Sequence, residues 1–125
     1  MSGDEVSSVG EELTSACRTA IGDRLRSITH FTEDDVEQVY LRSDLDADAD
    51  LVGFAEAERH GFHLQSLYRA SELGGYQYTI RTFDRGYLTR VIVGEQGVFV
   101  TTGELSMKRF DDVAAAVESV LENSA

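Results

Sequence analysis

The chain has 125 residues and a formal net charge of −12, because 23 Asp and Glu residues outnumber 11 Lys and Arg residues. Hydrophobic residues at 42% and charged residues at 27% fit one folded domain and exclude a disordered chain. A single cysteine excludes an internal disulfide, no apolar run is long enough to span a membrane, and the negative charge disfavours nucleic acid as a partner.

The first predicted element is a helix that follows a polar tail. Residues 1–7 are predicted to be disordered, and Ser8 with Glu11 has the spacing of a capping box. Apolar residues then recur every three or four positions: Val9, Leu13, Ala16, Cys17, Ala20 and Ile21. We therefore expect a single domain over residues 8–122, with Cys17 buried and unreactive in its core.

Residues 25–42 predict a β-hairpin. β-Favouring residues occupy 25–31, a polar stretch follows at 32–35, and apolar residues alternate in 36–42. The competing interpretation is a helix that begins at Thr32, because the apolar residues after it also fit a helical spacing.

The middle of the chain predicts a loop and then a long helix. Asp alternates with small or apolar residues over 43–50, which is typical of a solvated loop. Apolar residues from Leu51 to Leu73 fit an amphipathic helix that is interrupted at Gly61 and ended by Gly74.

The last part of the chain predicts three strands and a helix. The strands are expected at 76–81, 88–93 and 98–102, and the turns between them are too short for a crossover helix, so the strands pair antiparallel. An apolar stripe over 107–121 predicts the final helix. The order α, β, β, α, β, β, β, α indicates an α+β fold, with a five-stranded antiparallel sheet flanked by helices.

Two groups of residues invite a metal-site interpretation, and neither satisfies it. The run of aspartates that begins at Asp44 has Ala49 and Ala55 where a calcium loop needs Gly and Glu, so a solvated loop is preferred. His60 and His63 are one helical turn apart, but His30 is the only other histidine, so they are interpreted as surface residues. We predict no metal, cofactor or catalytic centre.

Three arginines form a candidate anion-binding patch. Arg81 and Arg90 lie on adjacent predicted strands, with Arg85 in the turn between them and tyrosines nearby. An anion or a single-stranded nucleic acid could use this patch. The favoured interpretation is that these arginines pair with neighbouring carboxylates.

The charge pattern predicts a high-salt environment. Carboxylates are spread along the chain, and Lys108 is the only lysine beside ten arginines. Such a surface suits molar salt, where a Debye length of about 3 Å screens repulsion between carboxylates. Residues 1–10 lack a basic segment followed by an apolar one, so we expect a cytoplasmic protein.

Two resemblances add to these predictions. Residues 28–43, ITHFTEDDVEQVYLRS, with the segments YQYTIRTF and GVFVTT, resemble a family of small acidic proteins of halophilic archaea, which implies a halophilic source and a cytoplasmic location. The element order also resembles that of roadblock/LC7 proteins, which are small dimeric scaffolds with a profilin-like fold that regulate GTPases and motors. The second resemblance rests on topology alone.

Two functions from different classes follow. The first is a non-enzymatic interaction or regulatory module that forms a homodimer, through a helix face or a sheet edge, and binds an unidentified protein partner. The alternative is a small-ligand sensor of the PAS or GAF type, with a pocket between the sheet and the long helix. That pocket would be lined by Phe54, Phe62, Tyr68, Tyr78 and Ile80.

Overall fold

The computed structural model describes residues 3–46, 54–66 and 71–124. The helices are α1 (Gly3–Ile21), α2 (Phe54–Arg59), α3 (Gly61–Ser66) and α4 (Met107–Asn123), and the strands are β1 (Leu25–Phe31), β2 (Val36–Leu41), β3 (Thr79–Phe83), β4 (Gly86–Val93) and β5 (Gln96–Thr102). None of the helices in these ranges is long and apolar enough to cross a membrane.

The described strands form one antiparallel sheet in the order β2-β1-β5-β4-β3, which confirms the predicted α+β class. The hairpin prediction for residues 25–42 is confirmed, since β2 pairs with β1 from Ser27 opposite Leu41 to Phe31 opposite Val36. The alternative helix is wrong. Thr32 does not begin a helix, because its backbone N–H donates to the Asp35 carbonyl at 2.9 Å, which closes the hairpin turn between the paired residues Phe31 and Val36.

Helices α1 and α4 pack side by side on one face of the sheet and bury the main core. The core members from the helices are Leu13, Cys17, Ile21, Val113, Ala114, Val117 and Leu121. They meet apolar residues of β1, β4 and β5, among them Ile28, Val91 and Val100. The three- and four-residue spacing seen in the sequence therefore places one stripe of each helix against the sheet.

The opposite face of the sheet carries a smaller apolar cluster beneath α3. The ring of Phe31 lies 5.4 Å from the ring of Phe62 and 6.0 Å from that of Phe99, and Leu88 completes the buried group. The apolar residues of a strand divide between the two clusters because alternate residues face opposite sides of the sheet. Phe99 of β5 faces α3, whereas its neighbours Val98 and Val100 face α1 and α4.

The predicted long helix is two short helices. It is interrupted where the sequence indicated, since α2 ends at Arg59 and α3 begins at Gly61. A side chain at residue 61 would place its Cβ 2.5 Å from the Arg90 guanidinium, so the glycine allows close approach to the sheet. The prediction that the helix continues to Leu73 is wrong, because residues 71–78 are not helical.

Two element boundaries also differ from the predicted ones. Helix α1 begins at Gly3, upstream of Ser8, so it overlaps the predicted tail of residues 1–7. Strand β3 begins at Thr79 instead of residue 76, since its pairing with β4 ends at Thr79 opposite Arg90 although β4 continues to Val93. Alternation of apolar residues thus continues upstream of the paired segment.

Candidate interaction surface

Strand β3 forms one edge of the described sheet, and no residue in it is fully buried. It holds no acidic residue, the turn after it has one carboxylate, Asp84, and Phe83 at its end is 47% exposed. An edge strand carries unpaired backbone N–H and C=O groups that can pair with another strand. In this strongly acidic chain, β3 is a segment on which a second strand meets little negative charge.

The register of the β3–β4 hairpin identifies the groups that face outward. Phe83 pairs with Gly86 across the two-residue turn. In a hairpin of this kind the residues flanking the turn exchange hydrogen bonds, and the bonded and non-bonded pairs then alternate along the strands. Ile80 and Thr82 are therefore the β3 residues whose backbone N–H and C=O groups point away from β4.

Strand β2 at the other edge is a poorer surface for self-association. It contains Glu37, and the turn before it contains Glu33, Asp34 and Asp35. Helix α1 also approaches this strand closely, since a Cβ at Gly10 would lie 3.2 Å from Val39. Two copies paired through β2 would therefore bring acidic segments together, which is destabilising.

A buried ionic cluster connects α2 to the two strands at the β3 edge. Glu58 of α2 is 2% exposed, and its carboxylate accepts from Arg90 of β4 at 3.0 Å and from Arg81 of β3 at 2.6 Å. The Arg90 guanidinium, which is 4% exposed, also donates to the hydroxyls of Tyr76 and Thr79 at 2.9 Å each. One carboxylate thus joins a helix to adjacent strands.

The cluster fixes the position of the β3 edge. A buried charge without a partner is costly, so the pairs disfavour separation of α2 from the sheet. The hydrogen bond from Arg90 to the Thr79 hydroxyl also holds the first residue of β3 to β4. The edge is therefore held in place by charge pairing as well as by the ladder with β4.

Sequence reasoning placed the arginines near carboxylates but did not identify Glu58 as their shared partner. Arg81 and Arg90 are engaged by Glu58, and Arg85 lies in the β3–β4 turn, so the three do not form one open patch. A signal was present in the sequence. Glu58 stands four residues after Phe54 and four before Phe62, on the apolar stripe of the predicted helix.

The structure does not bring the described residues of the predicted pocket together. Phe62 packs against Phe31 on the α3 face of the sheet, whereas Tyr78 packs against the core on the α1 and α4 face. Ile80 pairs with Thr89, the neighbour of Arg90 and Val91, and so shares the face of Val91. The side chain of Phe54 and all of Tyr68 lie outside the described residues, and the five-residue pocket stays a prediction.

The histidine candidates lie in separate places. His30 of β1 is hydrogen-bonded through Nε2 to the Gln96 side chain at 2.9 Å. His60 and His63 are exposed at the α2–α3 junction and in α3. In the part of the chain that the structure describes, no three metal-ligating side chains gather into a group.

The remaining candidate groups are engaged or inaccessible. Cys17 is buried, and burial raises the pKa of its thiol to about 12, so the thiolate nucleophile is not formed near neutral pH. Asp44 pairs with Arg42, whose hydrogen bond holds the pKa of the Asp44 carboxyl below its ordinary value. The rest of the aspartate run, residues 47–50, lies outside the described residues.

A hydrogen bond connects the segment before β3 to α4. The hydroxyl of Tyr78 donates to the carboxylate of Asp111. This bond, together with burial, raises the pKa of Tyr78 to about 12. The start of the β3 edge is therefore held from both faces of the sheet, by Asp111 of α4 and by the Glu58 cluster.

Comparisons with known proteins give one family and two similar structures. A family model described as "Domain of unknown function (DUF7522)" matches residues 11–122. MglB of Myxococcus xanthus is similar in structure with a TM-score of 0.53 and 10% identity, over 98% of this chain and 91% of that one. A roadblock/LC7 domain from Streptomyces avermitilis gives a TM-score of 0.47 and 18% identity, over 80% and 85% of the two chains. No curated protein matches the sequence.

Proposed function

Because the chain belongs to the DUF7522 family, whose description assigns no activity, we propose its role from its fold and surface: a non-enzymatic interaction module of the cytoplasm. It works as a symmetric homodimer that binds a protein partner. The fold supports this proposal, since the similarity to MglB extends over nearly the whole chain. Fold similarity at this level of identity does not imply a shared activity, so the proposed role is inferred from the surface residues.

The observation that carries the proposal is the β3 edge. It is exposed, free of carboxylates and held in register by the Glu58 cluster. In a two-fold dimer, β3 of one copy pairs antiparallel with β3 of the other, and the outward groups of Ile80 and Thr82 become the new ladder. The two five-stranded sheets then become one continuous sheet.

Apart from Met107 of α4, the large apolar side chains that are exposed in the described residues lie in the same part of the chain. Leu64 of α3 is 41% exposed, Leu73 is 97% exposed, and Phe83 ends β3. Leu73 lies in the non-helical segment before β3, so all three residues fall between the start of α3 and the end of β3 in the sequence. They offer apolar area to a second copy or to a protein partner.

The chemistry of the candidate groups favours binding over catalysis. The Cys17 thiol has a raised pKa in the core, His30 is bound to Gln96, and the carboxylate of Glu58 is neutralised by two arginines. A catalytic acid, base or nucleophile needs an accessible group with a suitable pKa. These three groups instead stabilise the fold.

Amide hydrogen exchange tests the proposed dimer interface. The amides of Ile80 and Thr82 should exchange more slowly as protein concentration rises in molar salt, because the second copy protects them. Amides in β2 serve as the internal control and should show no such dependence. Equal concentration dependence at both edges, or none at β3, would contradict the proposal.

A further inference from the structure

Strand β2 is the second edge of the described sheet, and the hairpin turn identifies its outward backbone groups. The backbone N–H of Thr32 donates to the Asp35 carbonyl at 2.9 Å, so the backbone groups of Asp35 face β1. Along an antiparallel strand these groups alternate in direction. Those of Glu37 therefore also face β1, whereas the N–H and C=O groups of Val36 and Gln38 point away from the sheet.

A β-bulge limits how much of this edge can form a ladder. The pairing with β1 shifts register between Ile28 and Thr29, because Val39 is an extra residue between Gln38 and Tyr40. A bulge bends its strand and increases the local twist, which hinders edge-to-edge pairing of two sheets. The β2 edge therefore fits a short extended segment better than the edge of another sheet.

A groove between α1 and β2 adjoins this short edge. Gly10 brings the helix close to the strand, since a Cβ there would lie 3.2 Å from Val39. Both residues border a hollow of about 480 Å³. The hollow is also lined by Glu11, Thr14, Ser15, Glu37 and Gln38. Its volume is within the range of small-ligand sites, so it has room for a long side chain.

The charged side chains that line this groove are acidic. Glu11 and Glu37 are exposed, and neither makes an ion pair within the described residues. Three further exposed carboxylates, those of Glu33, Asp34 and Asp35, stand in the turn that leads into β2. A segment that pairs with this edge therefore meets negative charge along its length.

Two basic groups near the groove bind other partners. Arg18 of α1 donates to the hydroxyl of Tyr40 at 2.9 Å. His30, which is the register partner of Glu37, is hydrogen-bonded to the Gln96 side chain at 2.9 Å. Neither basic residue lines the hollow. The groove carboxylates are therefore available to a cation from another molecule.

We propose that the β2 edge binds an extended segment of a protein partner that carries arginine or lysine at alternate positions. The segment adds as an antiparallel strand, like every other neighbour in this sheet, and pairs with the outward groups of Val36 and Gln38. A residue opposite Glu37 has its side chain on the same face of the sheet. A cationic side chain at that position enters the groove between Glu11 and Glu37 and pairs with both carboxylates.

The groove determines which partner binds more than the net charge of the chain does. In molar salt the Debye length is about 3 Å, so only charges in contact attract one another appreciably. This inference rests on the proposed interaction module and gives the chemistry of its partner.

Calorimetric titration of the full chain at one fixed ionic strength tests the proposal with three capped peptides. The first alternates arginine with valine, and the second has glutamine in place of every arginine. The third keeps the arginines but carries N-methyl groups on its valine amides, which face β2 when arginine lies opposite Glu37. We expect the first peptide to bind several-fold more tightly than either of the others, because each of those lacks either the charges or the ladder.

Three variants separate the groove from general attraction to negative charge. Glu37→Gln and Glu11→Gln should each weaken binding of the first peptide about threefold, which is the size of an exposed ion pair. Glu118→Gln, on the exposed side of α4, removes the same charge elsewhere and should leave binding unchanged. Equal weakening by all three variants, equal binding of the N-methylated peptide, or no binding of the first peptide would overturn the proposal.

Amide hydrogen exchange locates the bound peptide and keeps this inference distinct from the dimer. The first peptide should slow exchange at Val36 and Gln38 and leave Ile80 and Thr82 unchanged. The Thr82→Pro variant, which lacks an outward N–H of β3, should bind the peptide as the wild type does. Protection of Ile80 and Thr82 in place of the β2 amides would overturn the proposal. A wild-type monomer that binds the peptide at β2 would support this inference and contradict the dimer alone.

Discussion

Glu58 is the residue on which the proposed surface depends most. Replacing it by glutamine keeps the size and removes the negative charge that compensates buried Arg90 and half-buried Arg81. Breaking a buried pair from one side costs about 3–5 kcal/mol, a large part of the stability of a domain this size. We expect Glu58→Gln to lower the free energy of unfolding by that amount in urea denaturation.

The matched control for this prediction lies on the same short helix. Glu56 is exposed, so Glu56→Gln should change the free energy of unfolding by less than about 0.5 kcal/mol. If the two variants are equally stable, the Glu58 cluster does not hold α2 to the sheet.

Tyr78 predicts a response to alkaline pH. Its pKa is raised from 10.0 to about 12 in the folded chain, so folding favours the protonated phenol. The stabilisation is complete below pH 10 and is lost as the pH rises from 10 to 12. Tyr78→Phe should therefore lose less stability than the wild type over this interval, as measured by chemical denaturation at each pH.

Asp111→Asn provides the control for the Tyr78 prediction. The amide retains an acceptor for the phenol hydrogen but removes the negative charge, so the loss of stability above pH 10 should be smaller than in the wild type. If the free energy of unfolding of the wild type falls between pH 10 and pH 12 as it does in both variants, Tyr78 is not the source of the pH dependence.

Gly61 links the α2–α3 junction to the sheet. A methyl group there would lie 2.5 Å from Arg90, so Gly61→Ala must displace the guanidinium or the helices. Overpacking of this kind costs about 1–3 kcal/mol. Thermal melting should show the loss, whereas Gly75→Ala, with no heavy atom within 4 Å of the new Cβ, should melt near the wild-type temperature. Equal melting temperatures would argue against the close approach.

The sequence predicted elements well where one periodicity dominated. Apolar stripes defined α1 and α4, and alternation with short turns defined the strands and their antiparallel pairing. The sequence did not predict the role of residues that contact distant parts of the chain. Gly61 was recognised as an interruption, but its contact with Arg90 depends on β4, which lies far along the chain. The extent of β3 likewise depends on where its pairing with β4 ends.

The candidate surface was harder to predict than the fold. A sheet edge exists only once the strand order is known, and local patterns do not give the order β2-β1-β5-β4-β3. Local patterns likewise did not predict that Phe62 and Tyr78 lie apart. Residues expected to face one another lie on opposite faces of the sheet, because parity at β3 depends on its pairing with β4.

For the whole molecule, the net charge of −12 predicts stability that depends on salt. Screening shortens the range of carboxylate repulsion from about 10 Å at 0.1 M salt to about 3 Å at 1 M. We expect the melting temperature to rise steadily between low and molar potassium chloride. Equal melting temperatures at both ends would contradict the prediction of a halophilic protein.

Molar mass in solution tests the central claim most directly. Light scattering in molar salt should give about twice the chain mass of 13.8 kDa for the wild type. Thr82→Pro removes an outward N–H without breaking a bond to β4, so this variant should be a monomer, while Thr82→Ser should remain a dimer. A wild type that stays at 13.8 kDa at every concentration, or a dimeric Thr82→Pro variant, would contradict the account.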